Sequence, residues 1–113
     1  MEYIKANSLD QLHEVLSKDP MALVYFSHHN CNVCKVLKPK VAELISNNFP
    51  EMTLYYVNTI ENPDISGQFS VFTVPTILVF VENKEFIRES RHISLPPFEE
   101  RIQKLYSIYF NKK

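Results

Sequence analysis

Cys31 and Cys34 stand one helical turn apart within Ser27-His28-His29-Asn30-Cys31-Asn32-Val33-Cys34. Two thiols at that spacing admit three chemistries: a reversible redox pair, a pair of metal ligands, or a structural staple. If the segment is helical, side chains at 31 and 34 project from nearly the same face, and their sulfurs can meet without backbone movement. A bridge closing so small a loop stabilises little through chain entropy, which makes the staple the weakest reading. His28 and His29 add the residue types of a zinc site. Against zinc, every ligand would come from one short stretch, and no second cysteine pair exists to complete the usual split arrangement. A close pair in a reducing compartment is more often redox or metal chemistry.

The elements that must position this pair are legible around it. At 113 residues, 45% hydrophobic and 12% aromatic, the chain is expected to be one domain, spanning residues 1–113, with material for one core. A formal net charge of −1 gives no electrostatic reason to expect nucleic acid. No apolar run reaches the roughly 18 residues of a membrane helix, and the N-terminus lacks a basic segment followed by an apolar one, so a cytoplasmic location is expected. Tyr3 to Lys5 reads as a short strand. Ser8 to Gln11 fits a capping box opening a helix that carries Leu9, Leu12, Val15 and Leu16 and stops at Asp19-Pro20. Met21 to Phe26 is a nearly continuous apolar run, as for a strand buried on both faces. Val33, Val36, Leu37, Val41, Leu44 and Ile45 mark one face of a long helix ending by Asn48. Met52 to Val57 is another buried strand, and Asn62-Pro63-Asp64 opens a short helix. Thr76 to Val81 and Glu85 to Ser90 pair through a turn at Glu82-Asn83-Lys84, and a last helix opens near Ser94 with Phe98, Ile102, Leu105 and Tyr109 inward. The order β-α-β-α-β-α-β-β-α implies a mixed sheet between two layers of helices, with right-handed crossovers.

In this arrangement the chain resembles the thioredoxins. The likeness rests on the apolar strand running into Cys31-x-x-Cys34, on Pro39 five residues later, on Asn62-Pro63, and on Thr73-Val74-Pro75-Thr76 before the strand Ile77 to Val81. The resemblance implies the thioredoxin fold: an α/β, three-layer α/β/α domain with a mixed, mostly parallel central sheet and a C-terminal β-hairpin plus helix. It also implies that Pro75 opens its strand through a cis peptide bond and faces the cysteines, leaving the Val74 backbone free to pair with an extended substrate segment. Cys31, at a helix N-terminus, would meet unpaired N–H groups and the positive end of the helix dipole, both of which favour the thiolate. Cys31 is then the nucleophile toward a substrate disulfide, and Cys34, one turn further in, the resolving thiol. Pro39 reads as structural, bending the helix.

Departures from the family are equally specific. The usual Trp-Cys-Gly-Pro-Cys is replaced by Asn30-Cys31-Asn32-Val33-Cys34, so the redox poise is open. A buried aspartate, six residues before the first cysteine in many relatives, becomes Tyr25, and a neighbouring lysine becomes Tyr56. A phenol is a poor base near neutral pH. His28 and His29 are candidate modulators of the thiol pKa, because histidine changes charge between pH 5 and 8; each could equally be a loop residue facing water. His92 aligns with a glycine that lines the substrate groove in the family. Lys35 and Lys38 could raise the local positive potential, although a solvated helix face is the simpler account.

The expectation is a thioredoxin-like protein-disulfide reductase exchanging a dithiol with protein disulfides. Its partners would be protein disulfide substrates and an external electron donor, with no bound cofactor, no metal, no nucleic acid and no membrane, and a monomer is expected. The alternatives are a thioredoxin-fold adaptor with little turnover and a His/Cys metal-binding module.

Overall fold

A computed structural model describes residues 3–110. Its elements are β1 (Ile4–Lys5), α1 (Leu9–Lys18), β2 (Met21–Ser27), α2 (Asn32–Asn48), β3 (Thr53–Asn58), α3 (Pro63–Gln68), β4 (Thr76–Val81), β5 (Lys84–Ser90) and α4 (Leu95–Phe110). They match the expected order element for element. Among the described residues, no helix is long and apolar enough to cross a membrane.

The five strands lie in the order β1-β3-β2-β4-β5. β1, β3 and β2 are mutually parallel, β4 is antiparallel to β2, and β5 is antiparallel to β4. Four strands therefore run in one direction and β4 alone opposes them. The antiparallel hairpin is more than an edge: its first strand, β4, lies inside the sheet beside the central strand β2. Burial explains the placement. Every residue of β4 is buried, whereas most of β5 is exposed, so β4 needs neighbours on both sides and β5 can close the sheet.

Strand alternation divides the core into two. Met21, Leu23, Tyr25, Leu54, Ile77 and Val79 point to the face covered by α2 and α4, where they meet Leu37, Val41, Ile45, Phe98 and Ile102. Ala22, Val24, Phe26, Val57, Leu78 and Phe80 point to the face covered by α1 and α3, where they meet Leu12, Leu16 and Ile65. The three layers follow from this period of two.

Local details depart from expectation in four places. Ser8 caps α1 by accepting the Gln11 N–H at 3.1 Å, but the Gln11 side chain accepts from Asn7 N–H at 2.9 Å rather than from Ser8. The hairpin turns on Glu82 and Asn83, whose φ angles of 52° and 66° give the doubly left-handed turn that matches strand twist, here without glycine. In α2 the inward stripe is Cys34, Leu37, Val41 and Ile45; Val33 and Val36 are 62% and 60% exposed and belong to the outer surface. The helix presents two apolar stripes, and periodicity alone merged them. Lys38, expected on a solvated face, is half-buried against the rings described below.

Candidate functional site

Helix α2 begins at the cysteine pair. Cys31 is its N-cap residue, in extended backbone, and its Sγ accepts the Cys34 N–H at 3.2 Å. The cap that a serine oxygen usually provides is here a sulfur. Cys31 and Cys34 are joined by a disulfide with their Cα atoms 5.2 Å apart. Their surroundings differ. Cys34 is 1% exposed and belongs to the core beneath α2, while Cys31 is only partly covered. Of the two residues, only Cys31 is partly open to solvent.

The strand end that meets this point is Val74-Pro75, linked by a cis peptide bond as the resemblance implied. Val74 and Cys31 pack against the same core cluster, and the pairing of Phe26 with Thr76 sets the end of β2 and the start of β4 side by side at one end of the sheet. Val74 is partly exposed and Pro75 buried. The Pro75 carbonyl accepts the Arg91 N–H at 2.9 Å, which ties the connection between β5 and α4 to the same place. Arg91, with φ at 63°, is the left-handed residue of that connection; His92, the expected counterpart of a glycine, follows it and is exposed.

Beneath the pair, Tyr25 stands where many relatives carry a buried aspartate. Its hydroxyl donates to the Cys34 carbonyl oxygen at 2.9 Å. Burial, reinforced by the neighbouring Tyr56, pushes this phenol well above its ordinary value. Tyr25 is therefore a neutral donor that ties the first turn of α2 to β2, and its proton is already committed. Tyr3 repeats the arrangement one turn along, donating to the Lys38 carbonyl at 2.8 Å. The two phenols pin the helix to the sheet below the disulfide. The Lys38 ammonium lies 3.8 Å from the Tyr56 ring centre and 5.2 Å from that of Tyr3. Its desolvation there, followed by repulsion from Lys5, lowers its pKa. Where the family's lysine is replaced by Tyr56, a cation still arrives, delivered by the helix rather than by β3.

His28 and His29 are held in the loop between β2 and α2. His28 Nδ1 accepts the Asn30 N–H at 3.2 Å, and His29 Nε2 lies 3.5 Å from the Asn58 side-chain nitrogen. Among the described residues neither imidazole hydrogen-bonds a cysteine sulfur, and no three His, Cys, Asp or Glu side chains form a cluster able to hold a metal. Pro39 is exposed inside α2. It deletes a main-chain donor without approaching the chemistry.

The sequence model of the Thioredoxin family matches residues 3–104. The chain belongs to the thioredoxin family. Among its relatives, "Thioredoxin-like protein YdfQ" of Bacillus subtilis is 29% identical over 103 residues, which cover 91% of each chain. "Thioredoxin 2" of Chlorobaculum tepidum is 30% identical over 83 residues, covering 74% of this chain and 76% of that one. Among solved structures, thioredoxin 1 of Thermosipho africanus superposes with a TM-score of 0.72 at 31% identity, covering 80% of this chain and 99% of the other. A thioredoxin with a Cys-x-x-Cys pair at a helix N-terminus is a thiol-disulfide oxidoreductase, and the family acts on protein disulfides with electrons from a reductant.

The structure joins Cys31 to Cys34 and gives Val74-Pro75 the cis bond expected of it, while His28 and His29 meet Asn30 and Asn58 rather than a sulfur. Sequence reasoning missed the tether from Tyr3, the docking of Lys38 on aromatic rings, and the left-handed Arg91. Helical spacing from Cys34 to Lys38 carried a signal for the second, because residues four apart share a face. Nothing local marks the other two.

Proposed function

We propose that this thioredoxin reduces protein disulfides, with Cys31 as nucleophile and Cys34 as resolving thiol. The observation that carries the reading is the asymmetry of exposure within one bonded pair at the helix N-terminus. In the dithiol form, the Cys31 thiolate is favoured by the unpaired N–H groups of the first turn, the Cys34 N–H among them. It attacks one sulfur of the substrate disulfide. A mixed disulfide forms, and the other substrate sulfur leaves as a thiolate that takes a proton from solvent. Cys34 then loses its proton and attacks Cys31 Sγ, which restores the intramolecular disulfide and releases the second substrate thiol. An external two-electron donor reduces the pair again. Val74, beside the cis proline, offers its backbone to the substrate segment as an added strand would.

The Cys34 proton has no carboxylate to receive it at the Tyr25 position. Water, or a histidine of the 28–29 loop acting through water, takes that role, and resolution is slower than attack. Turnover of insulin or a small aromatic disulfide, with Cys31→Ser as control, tests the main reading; equal rates in the two proteins would leave only a binding role. Rapid-quench sampling at neutral pH tests the slow step, and the absence of any accumulating mixed disulfide would count against it.

A further inference from the structure

Beside the redox pair, α2 and the connection between β5 and α4 flank an open groove of about 710 Å³. Val33, the residue between Asn32 and Cys34, forms its near wall, with Val36, Leu37 and Ile93 completing an apolar floor. Lys40 and Arg91 stand on opposite walls, and no carboxylate lines the groove. This is placement, not composition, since the chain carries 13 acidic residues against 12 lysines and arginines. The acidic groups of β5 are engaged elsewhere: Glu89 pairs with Arg101 and Glu85 with Arg88. Among the described residues, neither Lys40 nor Arg91 has an ion-pair partner.

Arg91 adds a second, independent observation. Its φ of 63° is a conformation that glycine adopts freely and that side-chain-bearing residues resist. Its N–H is bonded to the Pro75 carbonyl, so the backbone cannot relax without releasing the strand end next to the active site. Strained backbone at a ligand edge is a common companion of binding.

We propose that Lys40 and Arg91 give this groove, which includes the family's substrate-groove position at His92, a charge preference for the segment flanking the target cysteine of a partner protein. It selects segments that place an apolar side chain next to that cysteine and an aspartate or glutamate beyond it. The apolar side chain packs against Val33 and Val36, and the carboxylate is drawn between Lys40 and Arg91. The proposal rests on the oxidoreductase reading above, which supplies the bound partner.

The test uses three peptides with one cysteine each, joined by a disulfide to a coloured aromatic thiol. The cysteine is followed by Leu-Asp-Glu, Leu-Asn-Gln or Leu-Lys-Lys. Cys31 attacks the peptide sulfur, the aromatic thiolate leaves, and Cys34 then closes on Cys31 and frees the peptide thiol. At low salt, kcat/KM is expected to be about tenfold higher for the acidic than for the basic peptide, with the neutral one between, and the gap should shrink to about twofold or less at 0.5 M salt. In a Lys40→Glu, Arg91→Glu double variant the acidic-to-basic ratio, taken within that variant, is expected to invert. The same peptides with serine for cysteine are titrated by NMR on the intact chain. Methyl shifts at Val33 and Val36 should saturate earliest with the acidic peptide. Equal kcat/KM for all three peptides at low salt overturns the proposal, as do equal NMR affinities or an unchanged order in the double variant. A dimer of this chain that blocks peptide binding and is dissolved by Arg91→Glu would also overturn it, by assigning the groove to a second copy. Failure to reduce even the free aromatic disulfide removes the oxidoreductase reading instead, and the NMR order then decides the groove by itself.

Discussion

Tyr25 and Phe26 are neighbours on β2, both fully buried, and the sheet sends them to opposite faces. Phe26 enters a core that is almost entirely hydrocarbon, under α1 and α3; the phenol of Tyr55 in that cluster reaches the Asp19 carboxylate. Tyr25 enters the core that also holds Cys34, and there its hydroxyl is bonded to the helix that carries the thiols. Tyr3 and Tyr56 share its neighbourhood, with ring centres 5.7 Å apart for Tyr3 and Tyr25 and 6.5 Å for Tyr3 and Tyr56. One face holds the fold together through area and packing. The other combines packing with directed hydrogen bonds, which hold α2 in one orientation beneath a pair of sulfurs that must open and close. Redox chemistry sits on the face where orientation is fixed as well as volume filled.

Five experiments test that division, in order of expected effect. Cys31→Ser should lower disulfide reduction by about a thousandfold or more, as loss of a nucleophile does, while leaving the melting transition of the dithiol form nearly unmoved. Phe26→Ala should cost about 3–5 kcal/mol by denaturant titration; per folded molecule, its turnover should match the parent. A fall in both would mean that the two faces are not separable.

Alkaline unfolding probes the buried phenols. Tyr25 and Tyr3 are both raised above the ordinary phenol value, chiefly by burial, so the folded state keeps their protons longer than the unfolded chain does. Their contribution to stability is complete below about pH 10 and is lost as the pH rises from there toward the folded values. The loss should be at most about 1.4 kcal/mol per pH unit per phenol, and Tyr25→Phe should flatten the curve above pH 10 while leaving its shape below unchanged. At neutral pH the same variant should lose about 1 kcal/mol, the net worth of one hydrogen bond, and should show a changed reduction potential because the Cys34 turn is no longer anchored. A stability loss with no change in potential would reduce Tyr25 to a packing residue. The smallest effect is expected for Lys38→Met. Removing the cation that α2 carries one turn after Cys34 should destabilise the thiolate form, so the potential should fall by roughly 10 mV, an effect that salt should mask.

Much of the site was legible because its chemistry is local. Two thiols a turn apart behind a buried strand are statements about neighbours in the chain, and the bonded pair agrees with them; the cis bond at Val74-Pro75 was expected only from the family resemblance. The inner side of the helix was misread at Val33 and Val36, since exposed apolar side chains can carry the same periodicity as core ones. Lys38 was misread because charge suggested water, whereas its long aliphatic stem lets it lie along two aromatic rings.

The sequence by itself determined the order of elements, the alternation that splits the core, and the position of both sulfurs at the start of a helix. Each depends on periods of two or 3.6 residues and on short-range caps. Only the tertiary structure decided that the Tyr25 hydroxyl donates a hydrogen bond to a carbonyl of α2, that Tyr3 meets the same helix at Lys38, and that Lys40 faces Arg91 across an apolar groove. Those contacts join residues far apart in the chain, and their geometry is set by how α2 lies on the sheet and where the connection after β5 is tied to Pro75.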